Sequence, residues 1–349
     1  MQTNFSSHPL VNTSDLEAFQ HILDKAHSIV VTSHRSPDGD AVGCALAMAS
    51  YLRTQGKSVT TILPDPPDEA LMWMPGVEDI VYYAEDSRQA DELMANADVL
   101  FALDYNRFER LGRMSHAARK SPGKWLLVDH HELPDNFQAA QVHAPACSST
   151  AELLYAVIVG LGGADAVDND MAALLYTGIM TDTGSFRFPG VTPTTHLIVA
   201  DMIAAGLEHA KVHEHIHGEA PLDRLRLNAF ALNERLEVFP EFHTALIHLT
   251  AADMDRFDYR PGYTEGLVNQ ALGIQGIRFA IFAKEGGERV KMSFRSIGSF
   301  SARTFAEEHF DGGGHHNAAG GASSESIDVV MAKLRGLLPE IQTQLLAAQ

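Results

Sequence analysis

The stretch SIVVTSHRSPDGDAVG, residues 28–43, decides the fold. Its β-branched run, SIVVTS, fits a short strand that ends in a loop, and the Ser, Pro, Asp and Gly that follow mark a sharp turn. From position 41 the pattern changes again, and 41–55 reads as a helix. A strand, a turn and a helix in quick succession are the opening of an α/β unit. The turn carries His34, Asp38 and Asp40.

Working outward, an amphipathic helix precedes the strand, with Leu16, Phe19, Ile22, Leu23 and Ala26 at helical spacing. Beyond it come strands SVTTIL (58–63), DVLFAL (98–103) and KWLLV (124–128). Helices are predicted over 107–118, 149–160, 168–181 and 193–205. Continuous apolar strands separated by helices imply a buried, mostly parallel sheet flanked by helices, so 1–205 is an α/β domain. Residues 206–223 are polar and His-rich and read as a linker. A smaller α/β domain follows over 224–349, with strands in HTALIHLT, IRFAIFAK and VKMSFRS, a helix near 301–308 and the loop GGGHHNAAGG at 312–321. The terminal helix, 326–347, carries Ile327, Val330, Met331, Leu334, Leu338, Ile341 and Leu345 on one stripe, which is core packing rather than a membrane face.

A chain of 349 residues suits two domains, each able to bury its own core. Against 45 Asp and Glu stand 26 Lys and Arg, a formal charge of −19, which argues against a basic face that tracks a long phosphate backbone. Long duplexes are disfavoured as partners, whereas short oligonucleotides and mononucleotide bisphosphates are not. The two cysteines, Cys44 and Cys147, and a start without a basic or apolar leader point to the cytoplasm. No stretch approaches the roughly 20 apolar residues that span a bilayer. The sequence leaves the assembly open between monomer and homodimer.

The chemistry sits at the predicted strand ends. His34, Asp38 and Asp40 follow the first strand, Asp104 ends DVLFAL, and Asp129, His130 and His131 end KWLLV. In a parallel sheet these ends open on one crevice. Carboxylates mixed with imidazoles suit a divalent ion of intermediate hardness, Mn²⁺ best, with Mg²⁺, Co²⁺ or Zn²⁺ as alternatives. So many carboxylates would repel unless neutralised, and a single ion would leave ligands unused, so two ions are expected. Paired divalent ions activate a bridging water and clamp a phosphoryl group for in-line attack.

Each segment alone has an ordinary reading: PDGD as a turn, a strand-end Asp as a helix cap, paired histidines as packing, TDTG as a helix C-terminus capped by Gly184. Four of them at successive element ends make coincidence a poor explanation. Two other patterns are decoys. HEHIH at 213–217 matches the His-Glu-x-x-His of zinc peptidases but lies in the linker without a third ligand, and reads as a solvated helix. GLGG at 160–163 ends a helix and is no dinucleotide fingerprint.

These segments resemble the DHH phosphoesterases with a DHH-associated C-terminal domain, in the NrnA-type oligoribonuclease and pAp-phosphatase branch. HRSPDGDAVG is similar to the family's first motif, LDYNRFERLG to the second, VDHH to the third, TDTGSFRF to the fourth, and GGGHHNAAGG to the substrate-binding signature of the C-terminal domain. The resemblance implies that His34, Asp38 and Asp104 hold one metal and Asp40, His130 and Asp182 the second, with Asp104 bridging. His131 would face the substrate phosphate as a general acid or stabiliser, and Asp129 would orient a neighbouring histidine. Arg295, Gly313, Gly314, His315 and His316 would bind substrate. Arg187 would either reach the phosphate or pair with a carboxylate of the metal site. Cys44 departs from the small residue usual at the end of the first motif and is expected to pack.

The implied activity is hydrolysis of short oligoribonucleotides to 5′-mononucleotides, or of pAp to AMP. Alternatives within the superfamily are a cyclic or linear dinucleotide phosphodiesterase and an inorganic pyrophosphatase or exopolyphosphatase. Outside it stand a non-catalytic nucleotide sensor and a zinc peptidase built on HEHIH.

Overall fold

The computed structural model describes residues 10–218 and 220–347 and divides the chain into two compact units, Met1–Glu219 and Ala220–Gln349. Residues 1–9, in which no leader was expected, lie outside the described residues, as do Glu219 and the last two positions.

The first unit runs α1 (Thr13–Leu23), β1 (Ser28–Thr32), α2 (Gly39–Thr54), β2 (Ser58–Leu63), β3 (Val81–Tyr82), α3 (Ser87–Ala95), β4 (Val99–Leu103), α4 (Ser115–Lys120), β5 (Lys124–Asp129), β6 (Ala140–His143), α5 (Thr150–Gly162), α6 (Asn169–Asp182), α7 (Pro193–Ala204) and α8 (His209–His213). Its strands order as β3-β2-β1-β4-β5-β6, with every pair parallel. The order reverses between β1 and β4, and such a switch point opens a crevice at the strand carboxyl ends.

Both faces of this sheet are buried, which is why its strands read as unbroken apolar runs. Ile29, Val31, Phe101, Leu103 and Val128 face a core shared with α2, α5 and α6. Val30, Leu100, Ala102 and Leu127 face a second core with Met94 of α3 and Ala118 of α4. Glycine sets how closely α2 and α6 approach. A Cβ on Gly43 would lie 2.4 Å from the Leu174 carbonyl oxygen, and one on Gly178 would lie 2.6 Å from both Asp40 Oδ1 and the Ala151 Cβ.

The helix expected over 107–118 is instead a 3₁₀ segment, Phe108–Met114, followed by the short α4. Gly112, at φ 57° and ψ −124°, cannot continue a right-handed helix and breaks it.

The second unit runs α9 (Leu222–Glu234), β7 (Leu236–Phe239), β8 (Thr244–Leu249), α10 (Ala251–Arg256), α11 (Leu267–Leu272), β9 (Phe279–Gly286), β10 (Arg289–Ser296), α12 (Ala302–His309), β11 (Gly313–His315), β12 (Ala318–Ser323) and α13 (Ile327–Ala347). Its sheet orders as β11-β12-β10-β9-β8-β7, with β8 and β9 parallel and the other pairs antiparallel. One face packs on α12 and α13 through Phe279, Ile281 and Phe294, and the apolar stripe of α13 is buried there as expected. Ala245, Ile247, Ala280 and Phe282 on the other face meet α9 and α11.

The division between units falls inside the polar stretch 206–223, which holds α8, a π-helical turn at Glu214–Gly218 and the start of α9.

Candidate metal centre

Three strand ends and one helix end deliver the acidic and imidazole groups of the first unit to one place. His34 follows β1 and Asp104 follows β4, on either side of the switch point. Asp129 ends β5, His130 and His131 follow it, and Asp182 is the last residue of α6. Asp38 serves two ends at once. Its Oδ1 accepts the Asp40 and Ala41 N–H groups at 3.1 Å as the cap of α2, and its Oδ2 lies 3.9 Å from His34 Nε2. The cap and the candidate ligand are therefore the same residue, not competing readings of it.

Among the groups whose ligand atoms lie close enough for a shared ion are two triads, His34 with Asp38 and Asp104, and Asp40 with His130 and Asp182, beside a further group in which Asp104 meets Asp129 and His131. His34 Nε2 is 3.1 Å from Asp104 Oδ2, while His130 Nε2 is 3.2 Å from Asp182 Oδ2 and 3.7 Å from Asp104 Oδ1. Asp104 thus presents one oxygen toward each triad. Its backbone adopts φ 62°, a left-handed conformation uncommon for a residue with a Cβ, and such strain concentrates at functional sites.

The tautomers follow from hydrogen bonds. His34 Nδ1 lies 2.9 Å from the Arg35 carbonyl oxygen, and His130 Nδ1 lies 3.2 Å from that of Cys147. A carbonyl only accepts, so each Nδ1 carries a proton and each Nε2 is turned toward the carboxylates, the arrangement of a metal-binding imidazole.

Electrostatics then test whether a cation fits. Burial drives the Asp40 carboxyl well above the usual range, with Asp104 and Asp182 pushing the same way, and it also lifts Asp182 against the pull of His130. Burial opposes charge on His34 and His130 too. Asp104 and Asp38 nevertheless raise His34, and Asp182, Asp104 and Asp40 raise His130. Asp104 goes the other way, because the His34 hydrogen bond and the charges of three histidines outweigh its burial and hold it far below the carboxylate range. The acids that raise both imidazoles favour positive charge between the two Nε2 atoms and the carboxylates, and the O and N donors there suit a divalent ion.

His131 belongs to neither triad, although its Nδ1 lies 3.6 Å from Asp104 Oδ1. Its backbone N–H donates to Asp129 Oδ2 at 2.9 Å and its Nδ1 to Asp129 Oδ1 at 2.8 Å, with Asp129 fully buried. Asp129 therefore fixes the ring and its tautomer. Sequence reasoning missed two supports of this turn. Asn106 Nδ2 donates to the His131 carbonyl oxygen at 2.8 Å, and His143, opposite Asp129 on β6, reaches the same oxygen at 2.6 Å through Nε2. It also missed the start of α5, where the Thr150 and Ala151 N–H groups hold the two Asp40 oxygens at 2.7 and 2.8 Å. The S-x-x-E capping pattern of Ser149 and Glu152 marked that helix start, but nothing in it names Asp40. Cys44 does more than pack: its buried Sγ lies 3.4 Å from Asp40 Oδ1 and donates to it.

Arg187 is exposed, and its Nε donates to the Gly184 carbonyl oxygen at 2.6 Å. Among the described residues it forms no ion pair, so the carboxylate pairing considered for it is not made.

In the second unit the Gly-rich segment is a hairpin, not an open loop. Gly313, Gly314 and His315 pair with Gly320, Ala319 and Ala318. The glycines are required by packing, since a Cβ on Gly312 would lie 2.3 Å from the Gly320 carbonyl oxygen and one on Gly314 would lie 2.5 Å from that of Ala318. Ala318 is also opposite Arg295, so Arg295, Ala318 and His315 form one row across three strands and project from one face of the sheet. His316 begins the turn beside them.

HEHIH is not a solvated helix. His215 stacks on Trp73 at 4.5 Å and His213 Nε2 meets the Tyr176 hydroxyl at 2.9 Å. Among the described residues neither His213 nor His217 joins a cluster able to hold a metal.

Residues 28–179 match the DHH family, N-terminal domain, and residues 244–340 match the DHHA1 domain. The chain is similar to the bifunctional oligoribonuclease and PAP phosphatase NrnA of Thermus thermophilus, 28% identical over 316 residues and covering 88% of each protein. Its counterpart of the same name from Bacillus subtilis is 23% identical over 272 residues, covering 78% of this chain and 82% of that one. The crystal structure of an exopolyphosphatase-related protein from Bacteroides fragilis aligns with TM-score 0.93 at 33% identity, over 97% of this chain and 99% of that one.

Proposed function

This chain belongs to the DHH family of phosphoesterases and carries a DHHA1 domain, and on that premise we propose that it hydrolyses short oligoribonucleotides to 5′-mononucleotides and pAp to AMP. The observation that carries the reading is the pair of triads that meet at Asp104. His34, Asp38 and Asp104 would hold one divalent ion, and Asp40, His130 and Asp182 a second. Manganese best suits their mixture of imidazole and carboxylate. Bound there, the ions would supply an activated water and neutralise charge on the reacting phosphate.

The remaining roles belong to the protein. Asp129 holds His131 Nδ1, which directs Nε2 outward as the proton donor for the departing oxygen. Arg295, with Gly313, Gly314, His315 and His316, supplies donors for a substrate phosphate or base edge, and exposed Arg187 adds a further cation. The names of the two bacterial relatives support oligoribonucleotides and pAp as substrates. A cytoplasmic setting fits two free, buried cysteines.

The exopolyphosphatase-related name of the Bacteroides fragilis protein keeps inorganic substrates as the second reading. Turnover of a 5′-labelled diribonucleotide, pAp, pyrophosphate, polyphosphate and cyclic di-AMP with Mn²⁺, side by side, decides between them. The nucleotides are expected to turn over fastest, and Asp104→Ala to abolish all hydrolysis. Faster turnover of pyrophosphate or polyphosphate would replace the substrate assignment, and full activity in Asp104→Ala would remove the metal centre.

A further inference from the structure

We propose that Thr150 is a positioning residue that locks the two triads to one another, through its hydroxyl on Asp104 and its backbone on Asp40. The inference rests on the metal reading above and adds a residue to it.

Thr150 is fully buried and stands at the first position of α5. Its Oγ1 donates to Asp104 Oδ1 at 2.8 Å, and its N–H donates to Asp40 Oδ2 at 2.7 Å. One residue therefore touches the first triad's Asp104, on the oxygen that faces His130, and a carboxylate of the second triad. The helix does not need this hydroxyl for its own start, because Ser149 is the cap and accepts the Glu152 N–H at 3.1 Å. Instead the donor is spent on a residue 46 positions away.

The geometry at Asp104 gives that bond a purpose. Oδ2 lies 3.1 Å from His34 Nε2, whereas Oδ1 lies 3.7 Å from His130 Nε2 and 3.6 Å from His131 Nδ1. Rotation of the carboxylate about its last torsion, which is soft, would withdraw either oxygen from its triad. Thr150 takes one lone pair of Oδ1 and fixes the plane, leaving the second for a ligand. The same helix end also fixes Asp40, since Thr150 and Ala151 each bind one of its oxygens. A slip of α5 would disturb both triads at once.

Thr150→Val keeps the shape and the backbone bonds and removes only the hydroxyl, while Thr150→Ser restores it. Manganese uptake by the full-length protein, followed by electron paramagnetic resonance, is the readout. Wild type and Thr150→Ser are expected to bind two ions with a spin-coupled signal. Thr150→Val should bind with affinity reduced about 10- to 100-fold, the usual cost of losing a partner of a ligand, and lose the coupled signal. Circular dichroism in EDTA checks the fold, and Thr150→Ala carries the comparison if the valine variant is unfolded.

Wild-type affinity and coupling in the variant without the hydroxyl would overturn the proposal, as would equal loss in Thr150→Ser. If wild type takes up no more manganese than Asp104→Ala, the metal reading itself fails and this inference with it.

Discussion

At the scale of single residues, the sequence names the acids and imidazoles and says little about what aims them. His130 and His131 are adjacent and chemically identical, yet their surroundings separate them. The Cys147 carbonyl turns His130 Nε2 toward Asp182, whereas Asp129 takes Nδ1 of His131. Replacing each by alanine should therefore give different failures. His131→Ala is expected to lower kcat by about 10²- to 10⁴-fold, the contribution of a positioned proton donor, with manganese uptake unchanged. His130→Ala should lose uptake of one ion, measured by the same titration. Equal loss of metal in both variants would contradict the division of roles. Asp38 was legible as a turn residue and as a candidate ligand, and the two readings are compatible because Oδ1 makes the cap while Oδ2 faces His34. Thr150, Asn106 and His143 were not legible, since hydroxyl, amide and imidazole groups near loops are common and only the fold brings these to the site.

At the scale of elements, the strands β1, β4 and β5 could be read from apolar runs that sit on both faces of a buried sheet. Their order could not. The switch point that makes β1 and β4 neighbours is a property of the winding, which no local periodicity records. Close helix packing was hidden too, although the glycines that permit it lie inside recognisable segments. Gly178→Ala would press a methyl against Asp40 Oδ1 and the Ala151 Cβ, both at 2.6 Å. It should cost about 1–3 kcal/mol of stability by overpacking and weaken manganese binding as well, measured by denaturant melts and metal titration. In the second unit, Asp253 closes a capping box with Thr250 at the start of α10 and accepts Arg235 Nη2 at 2.7 Å. Burial would raise its carboxyl, but the Arg235 bond and the Thr250 N–H outweigh burial and lower it. A depressed carboxylate stabilises the folded chain above its unfolded value, near 3.9, and that stability is lost as pH falls through the folded value. Asp253→Asn should thus cost about 1–2 kcal/mol at neutral pH, and the gap from wild type should close below about pH 4 in thermal melts.

At the scale of the whole molecule, charge is the property most directly readable from composition, and it bears on substrate length. A protein that grips a single strand by neutralising Z phosphates loses affinity with salt at a logarithmic slope of about −0.7Z, and each added nucleotide in contact steepens it. This chain carries 26 basic residues against 45 acidic ones. Several of its arginines are already committed: Arg235 to Asp253, Arg335 to Glu237 and Arg289 to Asp311. This balance argues against a long basic track, and on the proposed reading recognition would fall to a few groups near the reacting phosphate. Beyond those contacts each further nucleotide would then meet net repulsion, which salt screens. The two effects oppose each other, so kcat/KM for oligoribonucleotides should fall with length at low salt, and the fall should become shallower as salt rises. Rates for oligomers of about two to ten nucleotides, between about 50 and 200 mM KCl, test this directly. For the shortest substrates the slope should stay between about −0.7 and −1.4, the range of one or two neutralised phosphates. A slope that grows more negative with each added nucleotide would mean a basic track along which the strand runs, and the assignment to short substrates would fall with it.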